Sequence, residues 1–173
     1  PVVVAGPGFG ATRVAARRAH LLILHSSGVV LSWGDNSWGQ LGRVETGPHA
    51  FDVVPGLSDV TTIAAGHGFS VALTSAGEVW AWGRNTTGIA GVSTPAIATS
   101  PLRVTGVPPI VEVAVGEGHV LARGTMNEVW AWGRNDVGQL GDGTTTDRAT
   151  PALVSLGTSA ARLAASDFHS LVV

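Results

Sequence analysis

Apolar residues along this chain come in short bursts, each closed by Gly, Pro, Ser or Asn, and the bursts recur in register. Val14-Ala15-Ala16, Ile63-Ala64-Ala65, Val113-Ala114-Val115 and Leu163-Ala164-Ala165 stand at offsets of 49, 50 and 50. Their small side chains predict a strand packed closely around a crowded centre. The next burst opens at His20, Phe69, His119 and His169 and predicts a second strand, as in Ser70-Val71-Ala72-Leu73. A tight turn follows at Ser26-Ser27-Gly28 and Ser75-Ala76-Gly77, with Gly free to take positive φ. The third copy has Thr125-Met126-Asn127 there, and Asn tolerates the same conformation. A third strand runs from Val29 to Trp33, from Glu78 to Trp82 and from Glu128 to Trp132. It alternates, with Trp80 and Trp82 on one face and Val79 and Ala81 on the other. Val4, Val54, Val104 and Val154, spaced 50 apart, mark an outer strand, and Pro101 and Pro151 stand three residues ahead of the last two. Pro cannot donate to a sheet ladder, so these positions suit the start of an edge strand. Gly6, Gly56, Gly106 and Gly157 supply the turn that leaves it.

Between the third strand and the outer strand lies one repeated stretch, Trp33-Gly34-Asp35-Asn36-Ser37-Trp38-Gly39-Gln40-Leu41-Gly42. It returns at 82–91 and at 132–141. Four short strands per period of about 50 residues, apolar on both faces, are what a β-propeller blade needs. A single blade cannot bury both faces, so neighbours must do it. The expected fold is all-β, a propeller of four-stranded blades. Its repeats run over approximately 5–54, 55–104 and 105–154, with a partial one at 155–173, as a single partial propeller over 1–173. A solenoid of hairpins is the alternative arrangement of such a period.

Composition changes this picture little. The net charge of −2, with all ten basic residues Arg, shows no basic tail, which argues against nucleic acid as a partner. Cys is absent, which excludes a disulfide framework and thiol chemistry. Mean hydropathy is +0.31, yet no apolar run approaches the ~18 residues of a membrane-spanning helix, so membrane insertion is not expected. The compartment stays open, with a secreted or cell-surface bacterial setting favoured over a cytoplasmic one. The sequence opens on Pro1 rather than Met.

Several pieces together resemble the regulator-of-chromosome-condensation repeat family in a bacterial-like form. They are Ile63-Ala64-Ala65-Gly66, Phe168-His169-Ser170-Leu171, Gly77-Glu78-Val79-Trp80-Ala81-Trp82-Gly83 and the run from Asn135 to Asp147. The resemblance implies a seven-bladed propeller used as a non-enzymatic scaffold for protein–protein interaction. It also implies two specific alternatives: a guanine-nucleotide exchange factor for a small GTPase, and a secreted bacterial inhibitor of β-lactamase. The chain departs from the family at Gly88-Ile89-Ala90-Gly91, where Gly-Gln-Leu-Gly is usual, and at Arg17-Arg18-Ala19, where Gly-x-x is usual. It also counts only one outer strand (Pro1 to Val4), three full blades and two strands of a fourth (Ala160 to Val173). A ring does not close on that, so the expectation is a fragment, or an arc completed by another chain or copy.

The candidate contacts with a protein partner sit in the loops. Asp35, Arg84 and Arg134 share one variable loop position, and variable positions on a repeated scaffold carry specificity. Trp38 has Thr87 and Val137 as counterparts, so it is a loop aromatic outside the repeat's own packing. Asp136 and Phe168 complete the set. Phe168 is the one aromatic where the inhibitor reading wants aromatics; Ala19, Gly68 and Gly118 hold the equivalent places. Trp33, Trp82 and Trp132 recur and predict blade packing with a bonded indole N–H, and Trp80 and Trp130 the same. His20, His119 and His169 predict structural hydrogen bonds rather than a metal centre, while His25, His49 and His67 fall out of register and are expected to be exposed. Asn36, Asn85 and Asn135 predict loop caps. Gly6-Pro7-Gly8-Phe9-Gly10 lacks the Lys and the helix of a phosphate loop, and Asp142 to Asp147 lacks the carboxylates of a calcium loop. No nucleophile, base and orienter set is present, so no enzyme activity, cofactor or metal is called for.

Overall fold

A computed structural model describes residues 10–44, 51–157 and 159–173. The expected strand at Pro1 to Val4, the residues from Gly6 to Phe9 and His49 lie outside the described residues. The rest folds into three four-stranded antiparallel sheets and one two-stranded sheet, each meandering in chain order. The first blade holds β1 (Ala11–Arg17), β2 (His20–His25), β3 (Val30–Gly34) and β4 (Asp52–Val53). The second holds β5 (Val60–Ala65), β6 (Phe69–Thr74), β7 (Val79–Arg84) and β8 (Ile97–Arg103). The third holds β9 (Ile110–Val115), β10 (His119–Gly124), β11 (Val129–Gly133) and β12 (Arg148–Val154). The last pair is β13 (Leu163–Ala165) and β14 (Ser170–Val172). This is a partial propeller of about three and a half blades.

Strand alternation decides which neighbour each side chain meets. In the second blade Ala72, Trp80 and Trp82 face back to the first blade, where Leu22, Leu24, Val30 and Val54 complete one core cluster. Val71, Val79 and Ala81 face forward to Ile110, Val120 and Trp132 of the third blade. Leu121, Val129 and Ala131 then pack towards Ala160 and Leu163. The register valines Val54, Val104 and Val154 are all buried at these seams. The Trp expectation holds at two places: Trp82 Nε1 donates to Gln40 O and Trp132 Nε1 to Ile89 O, both at 2.8 Å. Trp130 differs. It packs against the core, but its buried Nε1 has no hydrogen-bond partner.

The turn between the second and third strands behaves as its sequence predicts, with Gly28, Gly77 and Asn127 at φ of 80°, 79° and 64°. A Cβ at Gly77 would stand 2.8 Å from the Ile110 nitrogen, so glycine also lets the next blade approach. Pro101 and Pro151 lie on outer strands, but in their middles rather than at their starts. Each sits where the pairing slips, between Ala81 and Gly83 for one and between Ala131 and Gly133 for the other. The bulge removes the need for a ladder N–H there, which is why Pro fits.

Candidate functional site

The Trp-Gly pair that closes each third strand builds the site. Gly83 and Gly133 have φ of 102° and 104°, and a Cβ on either would stand 2.5 Å from the carbonyl oxygen of Gly68 or Gly118. Without that Cβ the strand end folds against the loop between the first two strands. Arg84 N then donates to Gly68 O at 2.8 Å and Arg134 N to Gly118 O at 2.7 Å. The residue after the glycine is therefore aimed over one end of the propeller, whatever its side chain.

The following Asn holds the rest of the loop. Asn36, Asn85 and Asn135 each accept, through Oδ1, the backbone N–H five residues on, at 2.9, 2.8 and 2.9 Å. Asn135 Nδ2 also donates to Thr144 O and Thr146 O, and Asp142 accepts from Thr144 N and from Arg148, so 142–147 is a tied polar turn. Hydrogen bonds from the Arg148 guanidinium and the Thr144 hydroxyl hold the Asp142 carboxyl far below its ordinary value.

Between the second and third blades these loops enclose a cavity of about 300 Å3. Arg84, Arg134 and Asp136 line it, with His67, Glu117 and Thr86. Arg134 Nη2 donates to Asp136 at 2.5 Å and Nη1 lies 3.4 Å from Glu117. The guanidinium keeps the exposed Asp136 carboxyl below its usual range. Glu117 also meets His67 Nδ1 at 3.1 Å and Arg18 at 3.4 Å. Arg84 makes a weaker polar contact, from Nε to Thr86 Oγ1 at 3.3 Å, and carries no ion pair among the described residues.

Each aromatic candidate lies under an Arg that lines this cavity. The Arg84 guanidinium carbon sits 5.2 Å from the Trp38 ring centroid, and the Arg134 carbon 5.2 Å from that of Phe168. Trp38 and Phe168 remain 39% and 41% exposed, enough to offer apolar surface beside fixed charge. Asp35 is not brought into the group. Its carboxylate accepts from the Ser37 hydroxyl and the Gln40 side chain, both at 2.6 Å, and the Ser37 hydrogen bond is the main reason its pKa is lowered.

The histidines do not converge. His20 Nε2 meets Ser70 Oγ at 3.1 Å and His119 Nε2 meets Ser170 Oγ at 3.0 Å, each across a blade seam. Among the described residues no set of three or more His, Asp or Glu could hold a metal ion. His25 and His67 are half-buried rather than exposed, because Ser27 and Glu117 engage them. The sequence alone leaves Glu117 and Arg18 out of the site and presents His67 as an exposed residue outside the His register. The available signal was spacing: residues 67 and 117 stand 50 apart, at one position in adjacent blades.

Comparison with known proteins gives the architecture its relatives. The family description "Regulator of chromosome condensation (RCC1) repeat" matches residues 27–73, 76–123 and 127–173, and a second form of it matches 60–89 and 110–139. Among solved structures, human WBSCR16 superposes with a TM-score of 0.85 at 22% identity, over 96% of this chain and 45% of its own. Prp20p from Saccharomyces cerevisiae, described with its binding to Gsp1p and histones, gives 0.82 at 23%, over 94% and 43%. Yeast RCC1 (Prp20) bound to Kap60 gives 0.82 at 26%, over 99% and 43%. The chain thus spans less than half the length of these neighbours. No curated protein sequence matches it.

Proposed function

We propose that this chain, which belongs to the regulator of chromosome condensation (RCC1) repeat family, is a protein-interaction scaffold that engages its partner through the loop face around Arg84 and Arg134. One observation carries the reading: two Arg side chains, each laid on an exposed aromatic ring, flank a single cavity of about 300 Å3. Arg and aromatic residues dominate binding energy at protein interfaces, because they combine a large apolar area with directed charge. Glu117 and Asp136 are both engaged by Arg134, so the cavity is arranged for recognition rather than for moving a proton. Such positions vary from repeat to repeat while the Gly and Asn that aim them recur, which separates specificity from scaffold.

The nucleotide-exchange reading draws support from the likeness to Prp20p, whose described ligands include Gsp1p. The two readings separate by experiment. Quantitative affinity capture compares the unaltered chain, the Arg84→Glu/Arg134→Glu double variant, and Leu153→Ser on the outer strand. A discrete protein set kept by the first and third but lost from the second supports the loop face. The same set kept by all three rules it out. Release of a fluorescent GDP analogue from a small GTPase, accelerated by the chain, would replace the scaffold reading with the exchange reading.

A further inference from the structure

The inner strands place a second set of side chains at the opposite end of the arc's axis. Arg13, Thr62, Glu112 and Arg162 occupy one register position in four successive blades, at offsets of 49, 50 and 50. All four line one cavity of about 420 Å3, joined by Arg123. Three cations therefore share the space with one carboxylate.

That carboxylate is already spent. Glu112 Oε2 accepts from Arg123 Nε at 2.9 Å and Oε1 from Leu163 N at 3.3 Å, while Arg123 Nη1 donates to Asn127 at 2.7 Å. The pair forms a neutral wall. Arg13 makes no hydrogen bond or ion pair among the described residues, and Arg162 reaches only the carbonyl of Ala161, at 3.4 Å. The Thr62 hydroxyl is likewise without a partner there. The far end of the same strands is built differently: Arg17, the last residue of β1, pairs with Asp167, and Arg18 with Glu117. Cations are matched by carboxylates at one end of the inner strands and left in excess at the other.

We infer that this cavity binds a small, multiply charged oxyanion, held by Arg13 and Arg162 with the Thr62 hydroxyl as a third donor. Two guanidinium groups that make no ion pair among the described residues share one concavity and concentrate positive potential there, and each offers a planar fork that fits a phosphoryl or carboxylate group bidentately. The space matches a ligand of small-metabolite size. The neutral Arg123–Glu112 wall fixes the floor without cancelling the charge.

The test is calorimetric titration of the chain with pyrophosphate and, separately, citrate, at low and at raised salt. The inference expects one site. Arg13→Gln and Arg162→Gln each weaken it about tenfold, the size of a lost charge-assisted hydrogen-bonded contact. Arg103→Gln, on an outer strand where Arg103 pairs with Glu78 at 3.0 Å, leaves it within about twofold. The tighter of the two anions tells whether the group is phosphoryl or carboxylate. Unchanged thermal midpoints in the exposed-site variants exclude unfolding as the cause, and amide shifts confined to Thr62, Glu112 and Arg162 locate the ligand. No binding of either anion at about millimolar concentration, or equal weakening by Arg103→Gln, overturns the inference.

Discussion

The seams between blades are not built alike, and the difference shows which parts of the repeat can be exchanged. At the first seam His20 reaches Ser70, and Ser70 Oγ donates on to Gln40 O at 2.9 Å. The third seam repeats this with His119, Ser170 and Gln139 O, the last bond at 2.6 Å. At the second seam the same three positions hold Phe69, Val120 and Ile89, all buried in one apolar cluster. What stays constant is the main-chain carbonyl and the indole that donates to it, Trp82 at the first seam and Trp132 at the second. A seam is therefore built on a side-chain set that is either linked by hydrogen bonds or wholly apolar, and even the linked third seam leaves His119 Nδ1 buried with no partner. A mixed set would lose the His–Ser link as well and leave more buried polar groups unpaired, which costs stability.

The largest expected effect tests the constant part. Trp82→Ala and Trp132→Ala each remove a buried indole and its hydrogen bond, and each should cost about 3–5 kcal/mol. Because both indoles do the same work, urea unfolding should show losses of similar size. A Trp132 loss far below the Trp82 loss would mean that the apolar seam does not depend on its tryptophan. Next in size is a deliberate mixture. Phe69→His puts an imidazole opposite Val120, where no hydroxyl waits, and should cost about 2–4 kcal/mol. Adding Val120→Ser supplies the partner seen at the other two seams and should restore about 1 kcal/mol or more. A double variant no more stable than the single one would refute the pairing rule.

The polar seams should also respond to pH while the apolar one does not. Burial lowers the His119 pKa from its ordinary value to about 4, helped by the charge of Arg17. Burial lowers that of His20 as well, against smaller raising contributions that include the Phe69 carbonyl and Asp35. The unfolded chain therefore binds protons that the folded chain refuses. Stability is full above about pH 6.5, the unfolded value, and falls as pH drops from there towards 4. For His119 the loss is on the order of 3 kcal/mol. About 2 kcal/mol of it falls between pH 7.5 and pH 5, where denaturant midpoints measure it. His119→Phe with Ser170→Val should remove the His119 share of the slope and leave that of His20, and an unchanged slope would place the titrating group elsewhere.

Much of this is legible in the sequence. The His and Trp registers predict the strands, and the recurring Asn predicts the loop caps because a short side-chain oxygen at that place accepts from the backbone of its own loop. Phe69 and Ile89 are visible as departures. That they meet each other and Val120 is not, since contact across a seam depends on how one blade sits on the next. The same reason hid the pairing of His67 with Glu117, and the cavity shared by Arg13, Thr62, Glu112 and Arg162. Those residues are in register and invisible as neighbours until the inner strands turn around a common axis. Pro101 and Pro151 read as strand starts because a bulge has no signature other than the proline it admits.

The smallest expected effect lies at the surface of the same seams. Above the first, Trp38 lies 3.2 Å from where a Cβ on Gly68 would stand, with Arg84 on its ring. Above the second, Thr87 takes its place and donates through Oγ1 to Gly118 O at 3.3 Å. Stacking and a hydrogen bond thus serve one position in turn, each in contact with solvent. Trp38→Thr should therefore lower stability by less than about 1 kcal/mol, since an exposed cation–π contact is worth roughly that much. Thermal unfolding measures the loss directly. A cost as large as that of Trp82→Ala would show that Trp38 belongs to the seam, and the loop face would then lose its aromatic anchor. A small cost leaves the ring free to serve binding, which is the condition for repeats to change partners without changing fold.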